Sequence, residues 1–358
     1  MLDIILIVFI SIIGLLALHE LGHFLAAKKF GVKVEEFGFG YPPRLFGKKI
    51  GETIYSLNLL PFGAFVKIPE VEGGEISNFK RKPIWQRAII LFAGVAMFWI
   101  VAWVIFTVIT ILGIPTAISD EAKENFANPE IKIINIAENS PAELSGIKLG
   151  DTIVEVQAQN TALPISKVKE VQDFIDAHRG EEISLTVQRG GEERLTFEMI
   201  PRIQPPENEG AIGISLSRVA IVKYPWWEAP FKGLEATYVT TGRIIEGFTD
   251  AISKATQGAA TGVKFVGPIG IVSLMGQMAQ VGIIYYLQFI AIIAIHLAIF
   301  NLLPIPAIDG GRILFLGIEQ IKGSPINQRL EQGINSGVFI ALIILMIFVT
   351  FKDVQRFF

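Results

Sequence analysis

The stretch IILIVFISIIGLLALHELGHFLAAKK (Ile4–Lys29) decides how the rest of the chain is read. It exceeds the roughly 20 apolar residues that a helix needs to span a bilayer, yet His19, Glu20 and His23 lie inside it. Ionisable side chains are costly in hydrocarbon, so a cluster of them within a span is by default a functional site. The spacing is H-E-x-x-H. On a helix, His19 and His23 fall one turn apart on one face. Two imidazoles so placed can hold one zinc ion, with Glu20 beside them as a general base.

Composition sets the surroundings of this motif. Of 358 residues, 51% are hydrophobic and 18% charged, and the mean hydropathy is +0.51. That is not the profile of a soluble globular protein. A net charge of -3 and the lack of a dense basic cluster give no sign of nucleic-acid binding. The chain has no cysteine, which excludes disulfides and thiolate metal sites. Its four histidines are His19, His23, His178 and His296, so any zinc is left to imidazoles and carboxylates. The first apolar run is too long for a signal-peptide core, lacks a basic segment before it, and is followed by Lys28 and Lys29 where a cleavage site would lie.

Taken in order, residues 28–87 form a polar loop with eleven Lys and Arg, which the positive-inside rule makes cytoplasmic, leaving the N-terminus outside. Within it, ETIYSLNLLPFGAFVKI (Glu52–Ile68) alternates β-formers around Pro61 and Gly63, predicting a β-hairpin that dips into the membrane edge or stands as a small cytosolic element. A second span runs from about Ala88 to Leu112, with Gly94 and Ala96 small enough for close helix approach. From Ile114 to about Pro206 the composition is that of a soluble α+β domain. IKIINIA (Ile131–Ala137), EISLTVQR (Glu182–Arg189) and ERLTFEMI (Glu193–Ile200) predict strands, and KVKEVQDFIDAH (Lys167–His178) an amphipathic helix with His178 on its surface. SPAELSGIKLGDTIVEV (Ser140–Val156) resembles the turn and strand of a PDZ domain, a module that binds extended peptides or C-termini by strand addition. Its Gly146, Gly150 and Asp151 also serve as plain turn residues. Residues 207–282 predict an amphipathic, interfacial helical linker, rich in aromatics over Tyr224–Phe248 and in Gly over Val266–Gly276. The third span is Ile283–Leu303 and the last Gly337–Phe351, extensible back to Ile334.

Depth brings two parts of the chain together. At 1.5 Å per residue His19 lies roughly 20 Å below Ile4 and roughly 13 Å above Lys28, in the cytoplasmic half of the bilayer. Asp309 follows the inner end of the third span, where Pro304 and Pro306 break the helix and let the chain turn back. Two histidines and one carboxylate make a common catalytic zinc shell. His296 is the rival ligand, but it lies two to three turns further out.

Several stretches together resemble the site-2 protease family of intramembrane zinc metalloproteases. They are HELGH, LPFGAFVKI (Leu60–Ile68), KRKPIWQRAIILFAG (Lys80–Gly94), SPAELSGIKLGD (Ser140–Asp151), VGPIGI (Val266–Ile271) and NLLPIPAIDGG (Asn301–Gly311), in the right order over almost the whole chain. The bacterial single-PDZ branch is the most similar. The resemblance implies a zinc metalloendopeptidase that cuts membrane-spanning substrates, such as shortened anti-sigma factors and signal-peptide remnants. It implies His19, His23 and Asp309 as zinc ligands, Glu20 as the catalytic base, and Asn301 as a group holding the substrate backbone or oxyanion. Leu60, Phe62, Gly63, Ala64 and Phe65 match a re-entrant β-element that pairs with an unwound substrate. His296 stands where many members have Asn, as a substrate or interhelix contact, and Ile308 replaces the common Leu. FAGVAMFW (Phe92–Trp99) lacks the Pro and Asn of the usual AGPxxNF, a departure expected to touch no ligand.

The expected fold is a polytopic α-helical membrane protein of about four transmembrane helices, with a membrane-associated β-hairpin and one inserted extracytoplasmic PDZ domain. Its segments are 1–113, 114–206, 207–282 and 283–358. The expected location is the bacterial inner membrane, with both termini and the PDZ domain outside the cytoplasm. The expected partners are membrane-spanning protein substrates, the lipid bilayer, and a peptide or new C-terminus at the PDZ domain, with no nucleic acid. Two other readings are a non-catalytic PDZ adaptor with a structural metal clamp, against which Glu20 speaks, and a metal or proton transporter. The transporter needs polar groups along a full path, and the second and fourth spans nearly lack them.

Overall fold

In the computed structural model, which describes residues 2–69, 71–72, 75–76, 78–121, 129–158, 161–190, 193–207, 209–258 and 266–357, the chain begins with α1 (Leu2–Lys29) and two long strands, β1 (Glu36–Ile50) and β2 (Thr53–Lys67). Short elements β3 (Val71–Glu72), β4 (Glu75–Ile76) and α2 (Asn78–Arg81) lead to α3 (Ile84–Leu112). There follow β5 (Ile114–Ala117), β6 (Glu130–Ile136), α4 (Pro141–Ser145), β7 (Thr152–Ala158), β8 (Thr161–Pro164), α5 (Val168–Ala177), β9 (Ile183–Arg189), β10 (Glu193–Met199) and β11 (Ile214–Val222). The chain closes with α6 (Ala229–Thr256), α7 (Pro268–Val281), α8 (Ile283–Leu302), α9 (Asp309–Lys322) and α10 (Gln328–Phe357).

Among the described residues, four helices are long and apolar enough to cross a membrane: Ile5–Lys29, Ile84–Leu112, Ile283–Leu302 and Gln328–Gln355. The protein is therefore a polytopic membrane protein with a β-rich insertion. At 1.5 Å per residue the 20 residues of α8 match a hydrocarbon core of about 30 Å. Hence Asn301 stands at the very end of that helix, before Pro304 stops it. The last span is longer than the sequence suggests. Helix α10 begins at Gln328 because polar Gln332, Asn335 and Ser336 fit the first turns of a helix as well as they fit a loop. The chain divides into two compact units, one of residues 1–106, 230–276 and 288–358, the other of 107–229 and 277–287.

In the first unit β1 and β2 form a hairpin whose tight turn is at Gly51–Glu52, not at Pro61 and Gly63 as the alternation over Glu52–Ile68 suggests. Both strands bend, so that Phe37 stands opposite Tyr55 and also opposite Val66. The sequence pattern hides this because β1 carries Pro42, Pro43 and three glycines, residues that usually interrupt strands. Near the other end of the unit, the buried carboxylate of Asp353 accepts the backbone N–H groups of Gly267 (3.1 Å) and Gly270 (2.9 Å) at the start of α7. That is the place where a negative charge suits a helix.

The second unit is a seven-stranded sheet in the order β10-β9-β7-β6-β11-β5, with β8 paired to β7, around a core that includes Ile133, Val156, Leu185, Val187 and Val171. The boundary expected at 206 falls inside this unit. Strand β11 pairs with β6 over Ile214–Val219 and with β5 over Val219–Val222, so the stretch read as helical linker opens with a central strand. The preceding segment, rich in Pro, Glu and Gly, masks that strand from composition alone. In the turn at Ser140–Asp151 the Ser140 hydroxyl accepts the Glu143 N–H at 3.2 Å and caps α4, and Gly146 closes it at φ 93°. Asp151, 1% exposed, accepts the Lys148 N–H and both prongs of the Arg189 guanidinium at 2.8 and 2.7 Å. This hydrogen-bonded pairing favours the charged form and holds the Arg189 pKa above its ordinary value. Removing one member of a buried pair strands the other. Asp151→Ala is therefore expected to destabilise this unit by about 3 kcal/mol, seen as faster amide hydrogen exchange in β6, β7 and β9 with exchange in α3 unchanged.

Candidate metal centre

Helix α1 carries His19 and His23 one turn apart, each 8% exposed. Asp309 is the first residue of α9, brought to them by the break after α8. Two glycines allow that break to close. A Cβ on Gly310 would overlap the backbone of Leu302 and Leu303, and one on Gly311 the backbone of Ile305. Ala307 sits at φ 77°, a left-handed conformation costing about 1 kcal/mol for an L-residue. Its N–H is held by Asn335 Oδ1 of α10 at 2.9 Å. Asn335 carries no metal motif and stands out only as a polar residue in an apolar helix.

The three side chains converge on one point. His19 Nε2 lies 3.3 Å from His23 Nε2, and Asp309 Oδ2 lies 3.2 Å from the first and 3.3 Å from the second. Ligands at about 2.0–2.1 Å from a tetrahedral zinc are separated by about 3.3 Å, so the triangle has the size of one face of that tetrahedron. The donor set fits as well. His23 donates Nδ1–H to the Ile90 carbonyl of α3 at 2.9 Å, which leaves its Nε2 lone pair facing the other two atoms. Asp309 Oδ2 is buried with no hydrogen-bond partner. Three lone-pair-bearing atoms this close repel one another unless a cation or a shared proton lies among them. His19, His23 and Asp309 form such a group among the described residues.

Helix α3 supports the group from behind. A Cβ on Gly94 would overlap the His23 ring, and one on Gly22 of α1 would overlap the Ala93 carbonyl, so the two helices cross where both lack side chains. His19 stacks on Phe98, with ring centroids 4.7 Å apart and planes 16° from parallel. The departure from the AGPxxNF pattern, expected to touch no ligand, lies against His19, a member of the converging group. Where the pattern offers a polar group, an aromatic face lies against His19, and His19 Nδ1 is buried with no hydrogen-bond partner.

A cavity of about 510 Å3 opens on the group and is lined by His19, Glu20, His23, Phe65, Asn301 and Asp309, among others. Glu20 accepts the backbone N–H of Val66 in β2 at 3.1 Å, a tie that nothing in the sequence announces. Asn301 reaches this cavity while its amide donates to its own Leu297 carbonyl at 2.9 Å. Phe65 lines it too and is stacked by Tyr41 at 6.1 Å. Gly63 and Ala64 are buried close behind, whereas Leu60 is exposed; the side chain of Phe62 lies outside the described residues. His296 is not brought to the site. It bonds its own Ile292 carbonyl and meets the edge of Phe248 on α6.

The sequence pattern of peptidase family M50 matches residues 7–346. The chain belongs to peptidase family M50, the site-2 proteases. A Clostridium perfringens protein that carries a zinc metalloprotease name is 33% identical over 350 residues, covering 95% of each chain. A Clostridium acetobutylicum protein with the same kind of name is 32% identical, covering 95% of this chain and 94% of its own. The regulator of sigma-W protease RasP of Bacillus subtilis is 28% identical, with 98% of each covered. This M50 protein is accordingly a zinc-dependent metalloendopeptidase of the membrane.

The crossing at Gly94 yields a direct test. Gly94→Ala should cut the zinc content of the purified protein severalfold, measured by elemental analysis. Gly14→Ala, at a position of α1 with no neighbour within 4 Å, should leave it unchanged.

Proposed function

We propose that this M50 peptidase hydrolyses a peptide bond within or near the transmembrane segment of single-span proteins, with His19, His23 and Asp309 as zinc ligands and Glu20 as general base. The observation that carries this reading is the triangle of 3.2–3.3 Å between the three ligand atoms at the floor of a cavity that also holds Glu20. Zinc bound there supplies a Lewis acid for the scissile carbonyl and acidifies the attacking water.

Glu20 then takes the proton from that water at a carboxylate oxygen and delivers it to the departing amide nitrogen. The Val66 N–H orients the carboxylate for both transfers. Asn301, at the end of α8, holds the carbonyl or backbone of the substrate. A transmembrane helix hides its peptide bonds, so the substrate must unwind before it is cut, and the stretch around Phe65 in β2 offers a strand with which the released segment pairs. Water reaches the site from the cytoplasmic side, because His19 lies nearer the Lys28 end of its helix.

The β-rich unit is read as a PDZ domain on the opposite side, supported by the capped turn at Ser140–Asp151 and the outward run of the second span. There it excludes substrates with bulky outer domains or binds a newly made C-terminus. In this reading the membrane is a bacterial inner membrane, and the substrates are anti-sigma factors trimmed by an earlier protease and remnants of signal peptides. That reading agrees with the sigma-W regulator name of the Bacillus subtilis relative.

Glu20→Gln should retain stoichiometric zinc and slow cleavage of a truncated single-span substrate in detergent by about 10²-fold or more. Retained cleavage would falsify the base assignment. Asp309→Ala should lose most of its zinc, and a full complement of metal in that variant removes Asp309 from the ligand set.

A further inference from the structure

Arg87 has no part in the chemistry above, yet it makes a short, two-pronged polar contact between two helices of the first unit. Its guanidinium grips Glu319 of α9 with both prongs, Nη1 to Oε2 at 3.1 Å and Nη2 to Oε1 at 2.6 Å. The two side chains are 9% and 17% exposed. A buried ion pair is weak evidence for stability, because desolvation offsets its attraction, and its better-attested use is to fix one register over others. The planar fork suits that use, since two parallel hydrogen bonds fix orientation as well as distance.

What the fork fixes follows from where its ends lie. Arg87, Ile90 and Gly94 are spaced i, i+3 and i+7, on one face of α3. The last two already set His23, through its Nδ1–H bond to the Ile90 carbonyl and the close approach at Gly94. Glu319 belongs to the same helix as Asp309, about 15 Å further along its axis. At its start, α9 is seated by Gly310 and Gly311 against the backbone of 302–305; the fork at Glu319 is a second anchor on the same helix, far enough along it to hold the roll that the first turn alone would have to bear. A carboxylate oxygen stands roughly 5 Å from its helix axis. A roll of about 20° would carry Asp309 Oδ2 by roughly 1.7 Å, several times the ligand tolerance of about 0.2 Å.

We propose that Arg87 is a positioning residue for the metal centre: through Glu319 it sets the roll of α9, so that one face of α3 places both His23 and Asp309. The proposal rests on the reading of His19, His23 and Asp309 as ligands.

The test uses the full-length protein in detergent, with Arg87→Gln, Glu319→Gln and the reversed pair Arg87→Glu/Glu319→Arg. The readouts are zinc retained against a chelator and the visible bands of the cobalt(II)-substituted protein, which report ligand geometry. Each single variant should hold zinc about 10–100-fold more weakly and show altered cobalt bands, and the reversed pair should recover both. Wild-type retention and bands in the single variants overturn the proposal, even where the melting temperature falls, because that pattern belongs to a merely structural pair. As the chain lacks cysteine, Arg87→Cys/Glu319→Cys gives an independent arm should the single variants misfold. Joined by a short bis-maleimide it should hold zinc as the wild type does, and more tightly than when left unjoined; equal retention in both forms overturns the proposal. Zinc loss in Asp309→Ala beside wild-type retention in Arg87→Gln sinks this inference alone, whereas full zinc in Asp309→Ala sinks the ligand reading beneath it.

Discussion

Two imidazole nitrogens and a carboxylate oxygen, each within 3.3 Å of the other two, are the constraint around which the helical unit is arranged. No lone pair is content there without a positive charge at the centre, and the surrounding apolar medium sharpens the penalty. The three atoms belong to α1 and α9, and α3 lies against both helices. Side-chain volume is given up at each close approach: Gly22 on α1 and Gly94 on α3 where those helices cross, and Gly310 and Gly311 where the start of α9 meets the backbone of 302–306. The glycines are thus spatially one feature, though the sequence scatters them over almost 300 residues.

Polar groups elsewhere in the helices are quieted locally. His296, Asn301 and Thr350 each bond a carbonyl four residues back on their own helix, the low-cost solution for a polar side chain in a span. Among the described residues of the helical unit, buried polar atoms without a hydrogen-bond partner are found on His19, Gln86, Arg87 and Asp309. Those on His19 and Asp309 belong to the converging group, and those on Gln86 and Arg87 lie at the start of α3.

How much of this is legible in the sequence depends on the range over which each cause acts. HELGH is readable because its spacing equals one helical turn, and Asp309 because two prolines and the depth of α8 limit where the chain can go. The four spans follow from length and apolarity alone. Strand β11 and the true extent of the hairpin are not readable in this way, since pairing with β6 or with the far half of β2 is decided by partners distant in sequence. Helix α9 is concealed by its glycine-rich start, which reads as a turn. The contact of Phe98 with His19 lies between: FAGVAMFW announces a departure, but only the crossing of α1 and α3 shows that the changed residue meets the His19 ring.

Phe98 also bears on how rigidly the site is held. His23 is oriented by a hydrogen bond to a backbone carbonyl, which fixes both tautomer and ring angle. His19 is oriented by a ring face, which restrains the plane but leaves Nδ1 without an acceptor. The two histidines of one motif are therefore unequally anchored, and the imidazole with the weaker hold stands nearer the lipid-spanning part of α1. Stacking against Phe98 keeps that ring in place without importing another polar group into the span, an exchange of directionality for dryness. In a membrane an unpaired buried polar group costs several kcal/mol, so the Nδ1 of His19 carries a cost that the hydrogen-bonded Nδ1 of His23 does not, and the ring face of Phe98 holds the imidazole by contact area alone.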